Sequence, residues 1–146
     1  MLEEIIDKTV LVSGGFDPVH IGHLRMFKEA KKLGNKLIVL INNDYWVLAK
    51  KGYVFMPQEE RKEIIDAFEC VDEVLYTYHE PHPKDMSVCA ELETIRPDIY
   101  ANGGDRKAGN IPEYDLCREL GIEMIFNVGG GKIQSSSDLV AKVNKK

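Results

Sequence analysis

An open α/β fold, a parallel sheet of five strands clothed by helices on both faces, is what this sequence specifies. Three features specify it. Apolar, β-branched runs take turns with helical patterns along the whole 146 residues. The connections are short, with no linker, repeat or low-complexity stretch, so one domain is expected over residues 1–146. The composition, 44% hydrophobic and 29% charged, is that of a packed globular chain rather than a disordered one. A chain of this length buries roughly 70% of the surface it exposes unfolded, enough for a two-sided core.

The elements follow in order. Residues 8–13 (KTVLVS) are continuous and β-branched, bounded by Gly14 and Gly15, and read as a buried strand. Residues 21–33 carry Ile21, Leu24, Phe27 and Ala30 on one helical face, stopped by Gly34 and Asn35. Residues 36–42 (KLIVLIN) are the clearest strand. Asn43 and Asp44 open a polar turn, and the loop after it holds Tyr45, Trp46, Lys50 and Lys51. A helix is expected over 58–69 with Ile64, Ile65 and Phe68 inward, then a strand over 72–76 and a helix over 84–95 that must end before Pro97. A fourth strand at 98–102, a helix at 112–120 stopped by Gly121, a fifth strand at 122–128 and a helix from Ser135 to about Asn144 complete the chain.

The charge balance excludes several function classes. Nineteen Lys+Arg against 24 Asp+Glu give a net charge of −5, so no broad cationic field draws nucleic acid or anionic lipid, and any phosphate chemistry is local. No apolar run approaches the ~18 residues of a membrane span, and the opening MLEEIIDK has no signal-peptide core. The three cysteines, Cys70, Cys89 and Cys117, form no CxxC pair and no disulfide framework. A soluble, cytoplasmic protein is expected.

In open parallel sheets ligands sit at the carboxyl ends of the strands, and three such ends carry reactive residues. The first strand runs into Gly14-Gly15-Phe16-Asp17-Pro18-Val19-His20-Ile21-Gly22-His23. The glycines let the backbone approach a ligand, and the helix that follows offers unpaired N–H groups to an anion. His20 and His23, three apart, share a helical face and suit a phosphate that gains charge in a transition state. The plain alternative is a glycine-rich turn with two solvent-facing histidines; a zinc pair lacks a third ligand at suitable spacing. Near the other end, Gly129-Gly130-Gly131 precedes Ser135-Ser136-Ser137, three hydroxyls at a helix start, which form a second anion cradle. Ser135 with Asp138 also reads simply as a capping box. His79-Glu80-Pro81-His82 invites a metal reading, but its prolines and missing further ligands make it a surface loop near the pocket mouth.

Residues 14–23 resemble the first signature of the nucleotidyltransferase superfamily that includes cytidylyltransferases and small adenylyltransferases, whose motif ends H-x-G-H. The resemblance extends along nearly the whole chain: Asn42-Asn43-Asp44 after the second strand, Lys50-Lys51, the segment PQEERK ending near Arg61, Arg96-Pro97-Asp98 leading to Gly103-Gly104-Asp105, and the serine triplet. It implies a Rossmann-like sheet of order 3-2-1-4-5 and transfer of a nucleoside monophosphate, with ATP favoured, from a nucleoside triphosphate to a small phosphorylated acceptor. Pyrophosphate would leave. On that resemblance His20, His23, Lys50 and Lys51 are catalytic. Gly15, Phe16, Asp105, Gly130, Lys132, Ser135, Ser136 and Ser137 hold the nucleotide, and Asp17, Asp44 and Arg61 hold substrate. Relatives commonly place a basic residue after the triplet; here Val140 stands there, and Lys132 or Lys142 would supply the charge.

The resemblance further implies Mg²⁺ on the phosphates, no protein metal site, and a homodimer. The RPD…GGD pattern looks most like enzymes that activate a heptose-type sugar 1-phosphate with ATP. CTP-dependent glycerol-3-phosphate cytidylyltransferases are the alternative. A silent nucleotide-binding domain would predict broken first-motif residues, and both histidines and both glycines are intact. A flavodoxin-like domain would need a Ser/Thr-rich first loop or a CxxC.

Overall fold

The computed structural model describes residues 7–103 and 111–129. Five strands, β1 (Thr9–Gly14), β2 (Lys36–Ile41), β3 (Glu73–Tyr76), β4 (Ile99–Ala101) and β5 (Glu123–Ile125), form one sheet in the order β3-β2-β1-β4-β5. Every pairing is parallel, with β1 in register from Thr9 opposite Lys36 to Gly14 opposite Ile41. The helices between them are α1 (Ile21–Lys31), α2 (Asp44–Lys51), α3 (Gln58–Asp66), α4 (Cys89–Ile95) and α5 (Glu113–Leu120).

The strands are apolar without interruption because both faces of the sheet are covered. Val10, Val12, Leu37, Val39 and Ile41 pack on one face against Phe27 and Ala30 of α1 and Ile65 of α3. Leu11, Ile38, Leu40 and Tyr100 pack on the other against Leu92 of α4 and Cys117 of α5. The alternation along β1 and β2 therefore fixes the register: a one-residue slip would exchange the two cores. Between β1 and β4 the strand order reverses, so the chain leaving β1 enters a crevice at the carboxyl edge of the sheet.

Fold class and strand order match the expectation; several elements differ. Residues 44–51 form a helix rather than a loop. Asn43 caps it by accepting the Trp46 N–H at 3.1 Å, and Gly52 stops it in the left-handed conformation at φ 86°. Helix α4 begins at Cys89 and not at 84, because the polar groups of Met86, Ser87 and Val88 bond to Trp46, His79 and Glu113 instead of continuing a helix. Helices α1 and α3 and strands β4 and β5 end sooner than expected. Ile21 and Ile64, expected inward, are exposed. The expected final helix lies outside the described residues.

Gly34 closes the connection from α1 to β2 where the chain crosses the start of β1. Asn35 and Lys36 both donate to the Lys8 carbonyl there. A Cβ on Gly34 would lie 2.4 Å from that same oxygen and 3.0 Å from Val10 Cγ2. The clash is with backbone, which no rotamer relieves, so Gly34→Ala is expected to cost about 1–3 kcal/mol. A urea midpoint equal to that of the parent chain would show that the turn absorbs a methyl group freely.

Candidate functional site

The chain leaves β1 through Gly14 and turns at Phe16, whose φ of 52° is left-handed, a conformation that costs a side-chain-bearing residue about 1–2 kcal/mol. Packing holds it there. The Phe16 ring is buried, edge-on to His23 at 4.9 Å and to Phe27 at 5.2 Å. It also lies across Gly14, where a Cβ would meet its Cζ at 2.8 Å, which is why that position is glycine. Phe16, expected at the nucleotide, is thus a packing residue by its side chain; only its backbone remains to meet a ligand.

His20 is the N-cap of α1, and the cap is reciprocal. Nδ1 of His20 accepts the Gly22 N–H, and Nδ1 of His23 accepts the His20 N–H, each at 3.1 Å. This is a capping box built from two imidazoles in place of a hydroxyl and a carboxylate. The rings stack with centroids 3.8 Å apart. Because each Nδ1 accepts a backbone N–H, the proton of each neutral ring is on Nε2. The helix start, with no acidic residue in its first turn, adds a positive dipole end beside them. Two imidazoles at a helix N-terminus suit an oxyanion.

The acidic and basic residues around this loop divide into braces and groups open to a ligand. Arg61 is fully buried (0% exposed). Its Nε donates to Met56 O, one terminal nitrogen to Gly15 O and Asn42 O, and the other to Asp44 Oδ1 at 2.6 Å. Asp17 is equally buried, and its carboxylate accepts the N–H groups of Phe55 and Met56. Both were expected to touch substrate; here each is committed to the protein's own groups. Apart from the Arg61–Asp44 pair, their polar atoms go to backbone, tying the ends of β1 and β2 and the 52–57 loop into one unit. Asp44 keeps about a third of its side chain exposed beside Arg61 and starts α2, with its own N–H on Gln58 Oε1.

The two lysines also part company. Lys50 is exposed, whereas Lys51 Nζ donates to the Asp17 carbonyl at 2.7 Å. Burial pushes the Lys51 ammonium below its ordinary range, the Asp17 carboxylate opposes this, and Arg61 adds to it. Lys51 is therefore the cation held at the first-motif loop. Gly15 gives access there: a Cβ would be 3.6 Å from the Trp46 ring, so Trp46 walls the loop on the β2 side.

On balance the surroundings of the cysteines disfavour their thiolates. Burial raises all three thiols, Cys117 to about 11 with the Glu113 charge adding to it. Among the described residues no group of three or more His, Cys, Asp or Glu side chains could hold a metal ion. His79 is a clamp rather than a ligand, with Nδ1 on Thr77 Oγ1 and Nε2 on Ser87 O. Asp105, Gly130, Lys132, Ser135, Ser136, Ser137 and Lys142 lie outside the described residues.

Arg61→Met would remove four hydrogen bonds at once and strand three carbonyls in the interior. A loss of about 3 kcal/mol is expected. Arg61→Lys should recover little, since an ammonium cannot reproduce the fork. A denaturation midpoint for Arg61→Lys equal to the parent's would mean that charge alone, not the fork, holds the loop.

Comparison with known proteins agrees with this geometry. Residues 11–125 match the family model described as cytidylyltransferase-like. A bifunctional protein HldE of Syntrophotalea carbinolica is 30% identical over 141 residues, covering 93% of this chain and 27% of its own length. An FAD synthase of Ferroglobus placidus is 35% identical over 99 residues, 68% of this chain and 60% of that one. Among solved structures, the lipopolysaccharide core biosynthesis protein of Thermoplasma volcanium superposes with a TM-score of 0.64 at 25% identity, covering 82% of this chain and 94% of that one. The chain thus spans about a quarter of the bifunctional relative and well over half of the FAD synthase. No described helix is long and apolar enough to cross a membrane. With its sheet, its paired-histidine cap and a match over residues 11–125, the chain belongs to the cytidylyltransferase-like family.

Proposed function

We propose that the protein is a nucleotidyltransferase that moves a nucleoside monophosphate from a triphosphate, ATP by preference, to a small phosphorylated acceptor such as a sugar 1-phosphate. The observation that carries this reading is the reciprocal His20–His23 cap at the switch point. It sets two stacked imidazoles and a helix N-terminus at the place where an open parallel sheet binds its ligand. Membership of the cytidylyltransferase-like family supports it.

The acceptor phosphate oxygen attacks the α-phosphorus in line. A new P–O bond forms as the α–β bridging bond breaks, and its electron pair leaves with pyrophosphate. An ionised phosphate is already a nucleophile, so no general base is needed. The protein positions the two reactants and neutralises charge. His20 and His23 donate to the phosphate chain, and Lys51, anchored on Asp17 O, screens the two phosphates that must approach each other. Asp105, Gly130, Lys132 and the triplet Ser135, Ser136 and Ser137 are assigned to the nucleotide on the family resemblance. The triphosphate enters as its Mg²⁺ complex. A homodimer in the cytoplasm is the working form this reading carries.

The reading is tested by pyrophosphate release with Mg²⁺ and ATP or CTP over a panel of acceptors: heptose and hexose 1-phosphates, glycerol 3-phosphate, phosphocholine and 4′-phosphopantetheine. The FAD synthase relative adds flavin mononucleotide to the panel. Release with ATP and a sugar 1-phosphate is expected; release only with CTP and glycerol 3-phosphate would favour the cytidylyltransferase alternative. Absence of both turnover and triphosphate binding would end the proposal.

Loss of one donor from such a site typically costs about 10²–10³ in turnover. His23→Ala is expected to fall in that range while the Phe16 packing keeps the chain folded. Near-parental kcat in the variant would remove His23 from the chemistry.

A further inference from the structure

Strand β2 is buried and apolar from Leu37 to Ile41, and the residue after it breaks the apolar run without leaving the interior. Asn42 is 5% exposed. Its main chain is engaged on both sides beside the first motif. The N–H donates to Gly14 O at 2.9 Å, and the carbonyl accepts Arg61 Nη1, which also holds Gly15 O. The side chain is another matter: Asn42 Oδ1 is buried and has no hydrogen-bond partner among the described residues. A sealed amide oxygen without a donor is costly, and an apolar side chain of the same shape would avoid that cost. A leucine at 42 would continue the strand's own pattern. The fold therefore has no use for the amide, and the amide has a use for a donor.

The neighbours of Asn42 leave room for one. The alternation that puts Ile38 and Leu40 on the α4 face of the sheet carries on to Asn42, because its N–H extends the ladder to β1. The β1 residue beside it is Gly15, next in register after Gly14 opposite Ile41. A Cβ on Gly15 would meet nothing nearer than the Trp46 ring at 3.6 Å, an ordinary contact, so packing does not demand a glycine there. The missing side chain leaves a gap walled by Trp46, whose indole N–H is fixed on Met86 O at 2.8 Å. Two residues before Gly15, half-buried Ser13 shares this face and holds its hydroxyl 2.8 Å from Tyr100 OH. Helix α1, with the histidine pair at its start, packs through Phe27 and Ala30 on the opposite face. Asn42 and α1 thus flank the Gly14-Gly15 turn from the two sides of the sheet.

We propose that Asn42 is a specificity-determining residue of the transfer reaction, and that its amide oxygen receives a hydroxyl of a phosphorylated sugar or polyol entering between Gly15 and Trp46. The missing partner is a donor, which a hydroxyl is and an ionised phosphate is not. The acceptor phosphate is left to Lys51, whose ammonium sits on Asp17 O two residues beyond Gly15. An acceptor on the α4 face and a triphosphate at the start of α1 meet across the glycines, the opposed approach that an in-line displacement requires. A polar group placed in a mostly apolar recess, with an aromatic wall, is how a small site fixes the orientation of its ligand. The inference rests on the nucleotidyltransferase reading and adds to it the residue that selects the acceptor.

The test is Asn42→Leu in the full chain. An amide kept for recognition is dispensable to the fold, so the urea midpoint of the variant should equal or exceed the parent's. The acceptor is whichever of heptose 1-phosphate, glucose 1-phosphate and glycerol 3-phosphate turns over best. Its KM in the pyrophosphate assay should rise about tenfold, the worth of one hydrogen bond, with the triphosphate Kd unmoved. Trp46 is the one tryptophan of the sequence, so its emission reads the same site without turnover. With a non-hydrolysable ATP analogue present, the acceptor should change that emission, at about tenfold higher concentration in the variant. Deoxy analogues of the acceptor close the cycle: deleting the hydroxyl that meets Asn42 costs affinity in the parent and nothing further in the variant. A lowered urea midpoint, an unchanged KM and emission response, or a parent indifferent to every deoxy analogue overturns the proposal. Turnover with phosphocholine or 4′-phosphopantetheine but with no sugar or polyol phosphate also overturns it and leaves the nucleotidyltransferase reading standing. A chain that neither binds a triphosphate nor releases pyrophosphate with any acceptor brings down that reading, and the role of Asn42 with it.

Discussion

A guanidinium removed entirely from water holds the ends of two strands and the loop beyond them in one geometry. Desolvating a charge of that kind costs several kcal/mol, and the interior offsets it only where nearly every donor finds an acceptor. Arg61 meets that condition with Gly15 O, Asn42 O, Met56 O and the Asp44 carboxylate. Three of those acceptors are main-chain oxygens at the carboxyl ends of β1 and β2 and in the loop ahead of α3. Asp17 complements it from the other side, accepting two N–H groups of that same loop. Positive and negative groups thus brace backbone of opposite polarity, and the Asp44 carboxylate, itself partly exposed, is the one other side chain in these bonds. The fixed geometry of the arginine fork is what allows one side chain to reach three chain segments.

That brace explains how the first motif tolerates a residue such as Phe16 with positive φ. Gly15 O is pinned by Arg61 on one side of Phe16, and Asp17 is pinned by Phe55, Met56 and Lys51 on the other. The intervening residue has little freedom left, and its ring is seated between His23 and Phe27. The strain is thus over-determined by surroundings that would have to move together to release it. The consequence for the site is preorganisation. His23 rests on a fixed aromatic edge and caps the same turn that carries His20, so the two imidazoles hold their tautomer and spacing before a ligand arrives.

What the sequence makes legible is governed by whether the determining interactions are local. The strands at 9–14 and 36–41 are visible because β-branched residues run without a break, as burial on two faces demands. The first motif is visible because glycines, a helix start and two histidines fall within ten residues. Helix α2 also left a local signal, an Asn43 cap and a Gly52 stop with eight residues between them, but the aromatic pair there reads equally well as a loop. The segment from 84 to 88 has helical composition and is not helical, since its polar groups are taken by Trp46, His79 and Glu113, which lie up to 40 residues away in sequence. The roles of Asp17 and Arg61 were hidden for the same reason. A charged residue beside a phosphate-binding motif looks like a ligand until its distant backbone partners are known.

Asp17 has both oxygens satisfied by backbone N–H groups, so a ligand approaching it would have to displace protein contacts. Its own carbonyl is the anchor of the Lys51 ammonium, so the burial of this one residue fixes both the 52–57 loop and the cation beside the first motif. A buried carboxylate whose acceptors are all filled by main chain serves geometry, because any ligand donor would have to replace a bond already made.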